Sequence, residues 1–489
     1  MATRLASLAK DTAIYGLSSI VGRFLNYLLV PLYTNVIKAQ TGGYAAVTKV
    51  YAWTAFLLVI LIFGMETTLL RFGNKEGEDR NKVFSTSLIG VGTFSLVFVI
   101  LCQLFTAPIS SVLGYPTHPE YVRVMSIVVA LDAFQAVMFT WLRMENKAIK
   151  FVALKFYFIL LNVGLNLFFV LFVPKIHTPG EGLFGWFSMD NLVSYIFYVN
   201  LFCTATATFG FIPEIRYLKF GFDKQLFNRM LKYTWPLLLL GVAGILNQVA
   251  DKICYTWISK GEQGEIELGL YGGAVKIAML LSMLTQAFRY AYEPLVFSAN
   301  RSDSNKKKFY ADAMDYFVYF ALFAFLGVIF YMDIIKYLIG RTYWEALPVI
   351  PVVMLAEIFM GIYFNLSFWY KLIDKTWWGA IFSFTGCAVL ITMLCILIPR
   401  YGYTGCAWAG FCGYGVCMLL SYFIGRKQNR IDYHILKIVG YFAIAIAFWY
   451  ISSLIENWNM WLKLTLRTML LAVWITPFAV RFLASRKKA

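Results

Sequence analysis

Ionisable side chains interrupt the apolar stretches of this 489-residue chain. The cations are Arg23, Lys49, Arg123, Lys155, Lys252, Lys276, Arg289 and Arg467; the acids include Glu66, Asp132, Asp251, Glu293 and Glu357. Each would cost roughly 2.5–3.5 kcal/mol at the centre of a lipid-facing helix. Most must therefore face a watery cavity or one another. Cations outnumber acids, and arginine forks and lysine point charges match phosphate and diphosphate. Arg23, Lys49 and Lys276 are the hardest to explain structurally and are read as cavity-lining, ligand-contacting cations. Lys155 and Arg467 stand near helix ends, where snorkelling explains them. Asp251 and Lys252 are adjacent and point to different faces. Gln286, Arg289 and Glu293 share one helix face at i, i+3, i+7 spacing, and Pro294 follows as an expected kink.

The elements that position these charges follow from composition. Hydrophobic residues make up 60% of the chain, charged residues only 14%, and the mean hydropathy is +0.67. A soluble domain carries about 25% charged residues, so a bilayer is the solvent that fits. A helix needs about 20 apolar residues to cross. About fourteen such runs occur: 11–36, 44–72, 82–105, 120–143, 151–173, 186–211, 230–258, 268–297, 310–335, 347–370, 376–398, 404–424, 433–454 and 461–483. The first is long enough for a span rather than a signal segment. Most loop lysines and arginines fall at the tails and after even-numbered spans, which predicts that both ends are cytoplasmic.

That placement accounts for the net charge of +17 and argues against nucleic acid as a partner. Eight cysteines lie inside apolar segments without a CxxC pair, and three histidines form no motif. They suggest packing residues, with no metal or disulfide framework. No Gly-x-x-x-x-Gly-Lys-Ser/Thr sequence supports an ATP-driven pump. The longest loop, Ile212 to Arg229, is too short for a soluble catalytic domain and is a natural boundary between halves.

The halves repeat. Gly42-x-Tyr44-x4-Lys49 returns as Gly269-x-Tyr271-x4-Lys276, and Glu66 returns as Glu293, all at an offset of 227. Asp132-x-Phe134-x4-Phe139 matches Glu357-x-Phe359-x4-Phe364 at 225, as Lys150 matches Lys375. Gly182-x-x-Gly185 matches Gly402-x-x-Gly405 at 220. Single matches between apolar helices mean little, but a nearly constant offset through rare charged residues indicates duplication. Six spans per copy is an even number, so both copies enter from one side as a parallel repeat. Spans thirteen and fourteen lie outside it.

This plan of six, six and two spans resembles the multidrug/oligosaccharidyl-lipid/polysaccharide exporter superfamily, and within it the Wzx-type O-antigen flippases. The resemblance covers essentially the whole chain. It is carried by Asp11-Thr12-Ala13-Ile14-Tyr15-Gly16 with Arg23, by the Gly-x-Tyr…Lys pair, and by the Gly-x-x-Gly openings of spans six and twelve.

The resemblance implies an all-α membrane protein with two six-helix lobes, 1–211 and 230–426, in a V around a central cavity. Residues 212–229 would link the lobes, and 427–489 would hold two further helices and a basic tail. It implies a transporter rather than an enzyme, without a cofactor. Alternating access would be driven by a proton or sodium gradient in the bacterial cytoplasmic membrane. Arg23, Lys49, Lys276 and Arg289 would hold an undecaprenyl-diphosphate sugar, with Arg123 and Lys252 as further cavity cations. Glu66 and Asp132 lead the ion-coupling candidates, followed by Asp251, Glu293 and Glu357. Partners would be the lipid-linked oligosaccharide, membrane lipids and other polysaccharide-assembly proteins. Readings with less support are a multidrug exporter of the same fold and a membrane-embedded glycan polymerase or ligase.

Overall fold

The computed structural model describes residues 25, 27–177, 182, 184–219, 221–299, 306–373 and 375–486. The structure is all-helical, with no strand among the described residues. In chain order the principal helices are α1 (Leu29–Val36), α2 (Gly43–Ile62), α3 (Met65–Gly73), α4 (Arg80–Leu104), α5 (Thr106–Leu113), α6 (Pro119–Met144), α7 (Ala148–Leu167) and α8 (Leu192–Phe209). They continue as α9 (Lys224–Ile258), α10 (Glu262–Ala299), α11 (Lys306–Phe330), α12 (Ile350–Leu366), α13 (Trp377–Tyr401), α14 (Tyr403–Gln428), α15 (Ile435–Leu454) and α16 (Met460–Arg486). Among the described residues, 12 segments are long and apolar enough to cross a membrane. Of the two other expected spans, the first is described only near its end, as α1. The last is the 27-residue α16.

Contacts between Cα atoms divide the chain into two compact units, Met1–Gly272 and Gly273–Ala489. The segment expected to link two halves, 212–229, packs entirely within the first unit. It is short because α9 starts at Lys224, six residues before the expected position. Asp223 caps that helix by accepting from the Leu226 amide at 2.9 Å. Ion pairs then sew the segment down: Lys82 to Asp223 at 2.8 Å, Arg229 to Glu78 at 2.7 Å, and Lys219 to Asp79. Glu214 is buried and takes Lys147 at 3.1 Å together with Lys150.

The second expected span is not one straight helix. Phe63 and Gly64 both adopt positive φ, +36° and +73°, and divide it into α2 and α3. A β-carbon on Gly64 would lie 3.1 Å from Leu237, so α9 approaches closely there. Thr68 and Thr234 share a hydrogen bond of 2.5 Å beside the break. Glu66 consequently occupies the first turn of α3, where the helix dipole favours an acid. The kink expected at Pro294 does not end α10, which stays helical to Ala299.

Two glycines matched in the expected repeat share a backbone feature. Gly182 and Gly402, 220 residues apart, both take positive φ, at 71° and 54°. Each carbonyl accepts from the amide of the glycine three residues on, at 3.3 Å for Gly185 and 3.0 Å for Gly405. Tyr44 and Tyr271, the other matched pair, are both buried.

The appended helices α15 and α16 pack on α11 and are tied to the second unit by buried polar groups. Arg467 is 3% exposed; it donates to Asp333 at 2.9 Å, Glu456 at 2.5 Å and the Ser452 hydroxyl at 2.8 Å. It therefore does not snorkel, because three helical segments converge to satisfy its whole fork. Lys463 joins Asp333 at 2.8 Å. Asp333 lies in a short helical turn just past the end of α11, beyond the membrane-crossing segment. Burial works to raise its pKa, but Lys463, Arg467 and Lys336 outweigh it and hold the carboxyl below its usual range. Near the other end of α11, Asp315 takes His434 at 2.9 Å and Lys437 at 2.5 Å. Both attachments are side-chain chemistry that hydropathy does not register.

Candidate functional site

In the first unit the charges expected to meet ligand meet protein groups. Lys49, early in α2, is 1% exposed. Its ammonium donates to the Leu113 carbonyl at 2.6 Å and lies 3.6 Å from the Glu265 carboxylate. Tyr115 donates to the same carboxylate at 2.7 Å and presents its ring 5.2 Å from Lys49 Nζ. Between Leu113 and Tyr115, Gly114 takes φ +85°. A β-carbon there would stand 3.6 Å from Lys49 Nζ and 3.7 Å from Glu265, so glycine lets the turn close over the pair.

Asp251 and Lys252 do not act on separate faces. Lys252 reaches back to Asp251 at 2.9 Å, and Tyr271 donates to Asp251 at 2.7 Å. Tyr255 pairs with Glu267 one turn further along. Arg123 is exposed, and its backbone carbonyl accepts from Gln103 at 3.0 Å.

A second group gathers around the break in the second span. Glu66 lies 3.9 Å from Arg143. Lys155 acts electrostatically on both Glu66 and Asp132 and stands 4.1 Å from the centre of the Phe139 ring. The two leading ion-coupling candidates thus share one cationic neighbour. Tyr51, bonded to Asn200 at 3.0 Å, is also within electrostatic reach of Asp132. Arg143 is not among the expected site residues. Its signal is weak, since it stands at a helix end, where cations are common.

The second unit is built differently. Arg289 lies over the Phe364 ring at 5.0 Å, and Lys371 lies over Phe368 at 4.8 Å. A narrow cleft runs between them, walled also by Phe288, Tyr292, Phe317 and Asn365. Its volume is about 10 Å³, room for one water. Lys371 and Asn365 are site residues that sequence reasoning does not find. Lys371 sits where a snorkelling lysine is expected, and an asparagine in a span carries no charge signal. Lys276 and Glu357 are half-buried within the second unit. Arg23 and the side chain of Glu293 lie outside the described residues.

Comparison with known proteins agrees with this architecture. Residues 8–296 match the family described as polysaccharide biosynthesis protein. No curated protein sequence matches the chain. Among solved structures, lipid II flippase MurJ in an inward closed conformation superposes with a TM-score of 0.74 at 17% identity, covering 96% of this chain and 99% of that one. An inward-facing multidrug resistance MATE family transporter of the MOP superfamily gives 0.66 at 14% identity, covering 83% and 94%. The MATE multidrug transporter DinF-BH gives 0.60 at 16% identity, covering 86% and 96%. The chain belongs to the polysaccharide biosynthesis protein family and shares the fold of these solved transporters.

Proposed function

We propose that this protein is a flippase for an undecaprenyl-diphosphate-linked oligosaccharide in the bacterial cytoplasmic membrane, serving surface polysaccharide assembly such as O-antigen and lipopolysaccharide. The single observation that carries this reading is the family match over residues 8–296. The cation-rich, aromatic-walled cleft at Arg289 and Lys371 supports it, because such a surface suits a phosphorylated sugar better than a cationic drug.

Arg23, Lys276 and Arg289 are the cations assigned to diphosphate, with Arg123 exposed nearby in sequence to the first-unit acids. Lys49 and Lys252 are held by Glu265 and Asp251. They reach substrate only after those pairs open. Glu66 and Asp132, with Asp251, Glu293 and Glu357 in support, are assigned to coupling with a proton or sodium gradient. The lysine and arginine bias favours cytoplasmic termini.

The test is transport in proteoliposomes. A fluorescent polyprenyl-diphosphate oligosaccharide should cross only with the protein present, faster with an imposed proton or sodium gradient. Lys276→Gln should abolish crossing, and Asp132→Asn should remove the gradient dependence while leaving slow exchange. Crossing of a cationic dye with no crossing of the glycolipid would favour the multidrug reading, which the MATE-like fold supports.

A further inference from the structure

The narrow cleft of the second unit carries chemistry that cations alone do not explain. Asn365, on α12, is 8% exposed. Its side-chain amide donates to the Gly361 carbonyl at 3.0 Å, but its Oδ1 atom is buried without a hydrogen-bond donor among the described residues. An unsatisfied buried acceptor costs about 1–3 kcal/mol; the Asn166 oxygen shares this state, and what sets Asn365 apart is its place in the wall of a cleft that also holds two cations. Arg289 and Lys371, on either side, are fixed over aromatic rings at 5.0 and 4.8 Å. Among the described residues that line the cleft, two are cationic and none is acidic.

The matching position of the first unit is built differently. Phe364 and Asn365 correspond to Phe139 and Thr140 in the first unit at the offset of 225. Phe139 also carries a cation on its ring, Lys155 at 4.1 Å. Thr140, unlike Asn365, is fully satisfied within its own unit. It donates to the Ala136 carbonyl at 2.9 Å and accepts from Arg143 at 3.1 Å. Arg143 in turn lies 3.9 Å from Glu66. In the first copy Thr140 is satisfied, although Arg143 Nε is buried without a hydrogen-bond partner among the described residues; in the second the open group is the Asn365 acceptor, set between two cations and aromatic walls.

We infer that the cleft at Arg289, Asn365 and Lys371 is a subsite for a phosphorylated sugar. Arg289 and Lys371 attract the phosphate oxygens, and Asn365 Oδ1 accepts from a sugar hydroxyl. The rings of Phe364 and Phe368 offer apolar faces to the sugar. The floor is closely packed: a β-carbon on Gly361 would stand 2.1 Å from Phe317 and 3.1 Å from Thr285. The cleft holds about one water in this structure, so entry of a sugar requires it to widen.

This subsite rests on the flippase reading and names the part of the substrate that the second unit holds. The test is binding to the full-length protein in detergent, followed by native mass spectrometry. The probes are a polyprenyl-diphosphoryl-N-acetylglucosamine, the same polyprenyl diphosphate without sugar, and inorganic diphosphate. Lys371→Gln should weaken both lipid probes about tenfold. Asn365→Leu should weaken only the sugar-bearing probe, about fivefold, because it deletes one hydroxyl contact.

Inorganic diphosphate bound with the same sensitivity to Lys371→Gln would support the anion site and make the free anion its source. Unchanged binding of every probe in both variants, with loss in Lys276→Gln, would overturn the subsite and leave the flippase reading standing. Failure of the unaltered protein to bind either lipid would remove that reading and the subsite with it. Size-exclusion profiles of the variants separate lost binding from lost folding, and Asn365→Gln, which restores an acceptor, should recover part of the sugar-dependent affinity.

Discussion

Lys49 in the first unit is buried against the Glu265 carboxylate, whereas Arg289 and Lys371 in the second unit lie over aromatic rings at the wall of a cleft. Lys49 with Glu265, Lys252 with Asp251, and Lys147 and Lys150 with Glu214 are all ion pairs of the first unit. Ion pairs of the second unit attach α15 and α16, through Asp333, Glu456 and Asp315. The two units thus place these cations in different surroundings. A cation paired with a buried acid serves the fold. A cation over a ring at the wall of a cleft stands beside space that a ligand can enter.

Breaking a saturated pair should have the largest effect. Arg467→Met would leave Asp333 and Glu456 short of their fork and should cost about 3–5 kcal/mol. A large drop in thermal unfolding temperature, with earlier proteolysis near α16, is expected. Lys49→Met should cost about 3 kcal/mol by leaving Glu265 without its buried cation. Lys371→Gln should change stability by no more than about 0.5 kcal/mol, and comparable losses for Lys49→Met and Lys371→Gln would erase the distinction between the two units.

The attachment of α16 should also respond to pH, with a definite sign. The folded-state pKa of Asp333 is depressed, so its contribution is present above the unfolded value, about 3.9, and is lost as pH falls through the lower folded value. Stability should hold through neutral pH and decline in acid below about pH 4. Asp333→Asn should flatten that part of the profile in an unfolding titration. A subtler probe is Thr140→Val, which removes one acceptor from Arg143 and should cost about 1 kcal/mol. Its effect on transport should be slight beside that of Asn365→Leu, and equal transport defects would mean that both copies bind the sugar.

Much of the architecture is legible in the sequence because it depends on local pattern. Apolar runs of span length mark the helices, and Gly182 and Gly402 mark matching turns that need positive φ. The break at Phe63 and Gly64 is less legible. An isolated glycine within an apolar run does not reveal that another helix approaches it. Lys49 and Arg289 illustrate the limit for the site. Both are cations within spans, yet one lies enclosed against Glu265 and the other is exposed beside Phe364. Arg467 resembles a snorkelling residue until Ser452, Glu456 and Asp333 are seen around it.

By itself the sequence determined that the chain is a multi-pass membrane protein and which rare charges interrupt its apolar runs. Those properties follow from residue type and spacing, because in lipid each backbone group must find its partner within its own helix. Only the tertiary structure decided which charges are enclosed in the fold and which line a cleft. That outcome depends on the rotation and depth of neighbouring helices, and a shift of one residue turns a side chain by about 100° around its helix. Asn365 shows the consequence: a neutral residue in an apolar span becomes a candidate contact because no described neighbour supplies a donor to its oxygen.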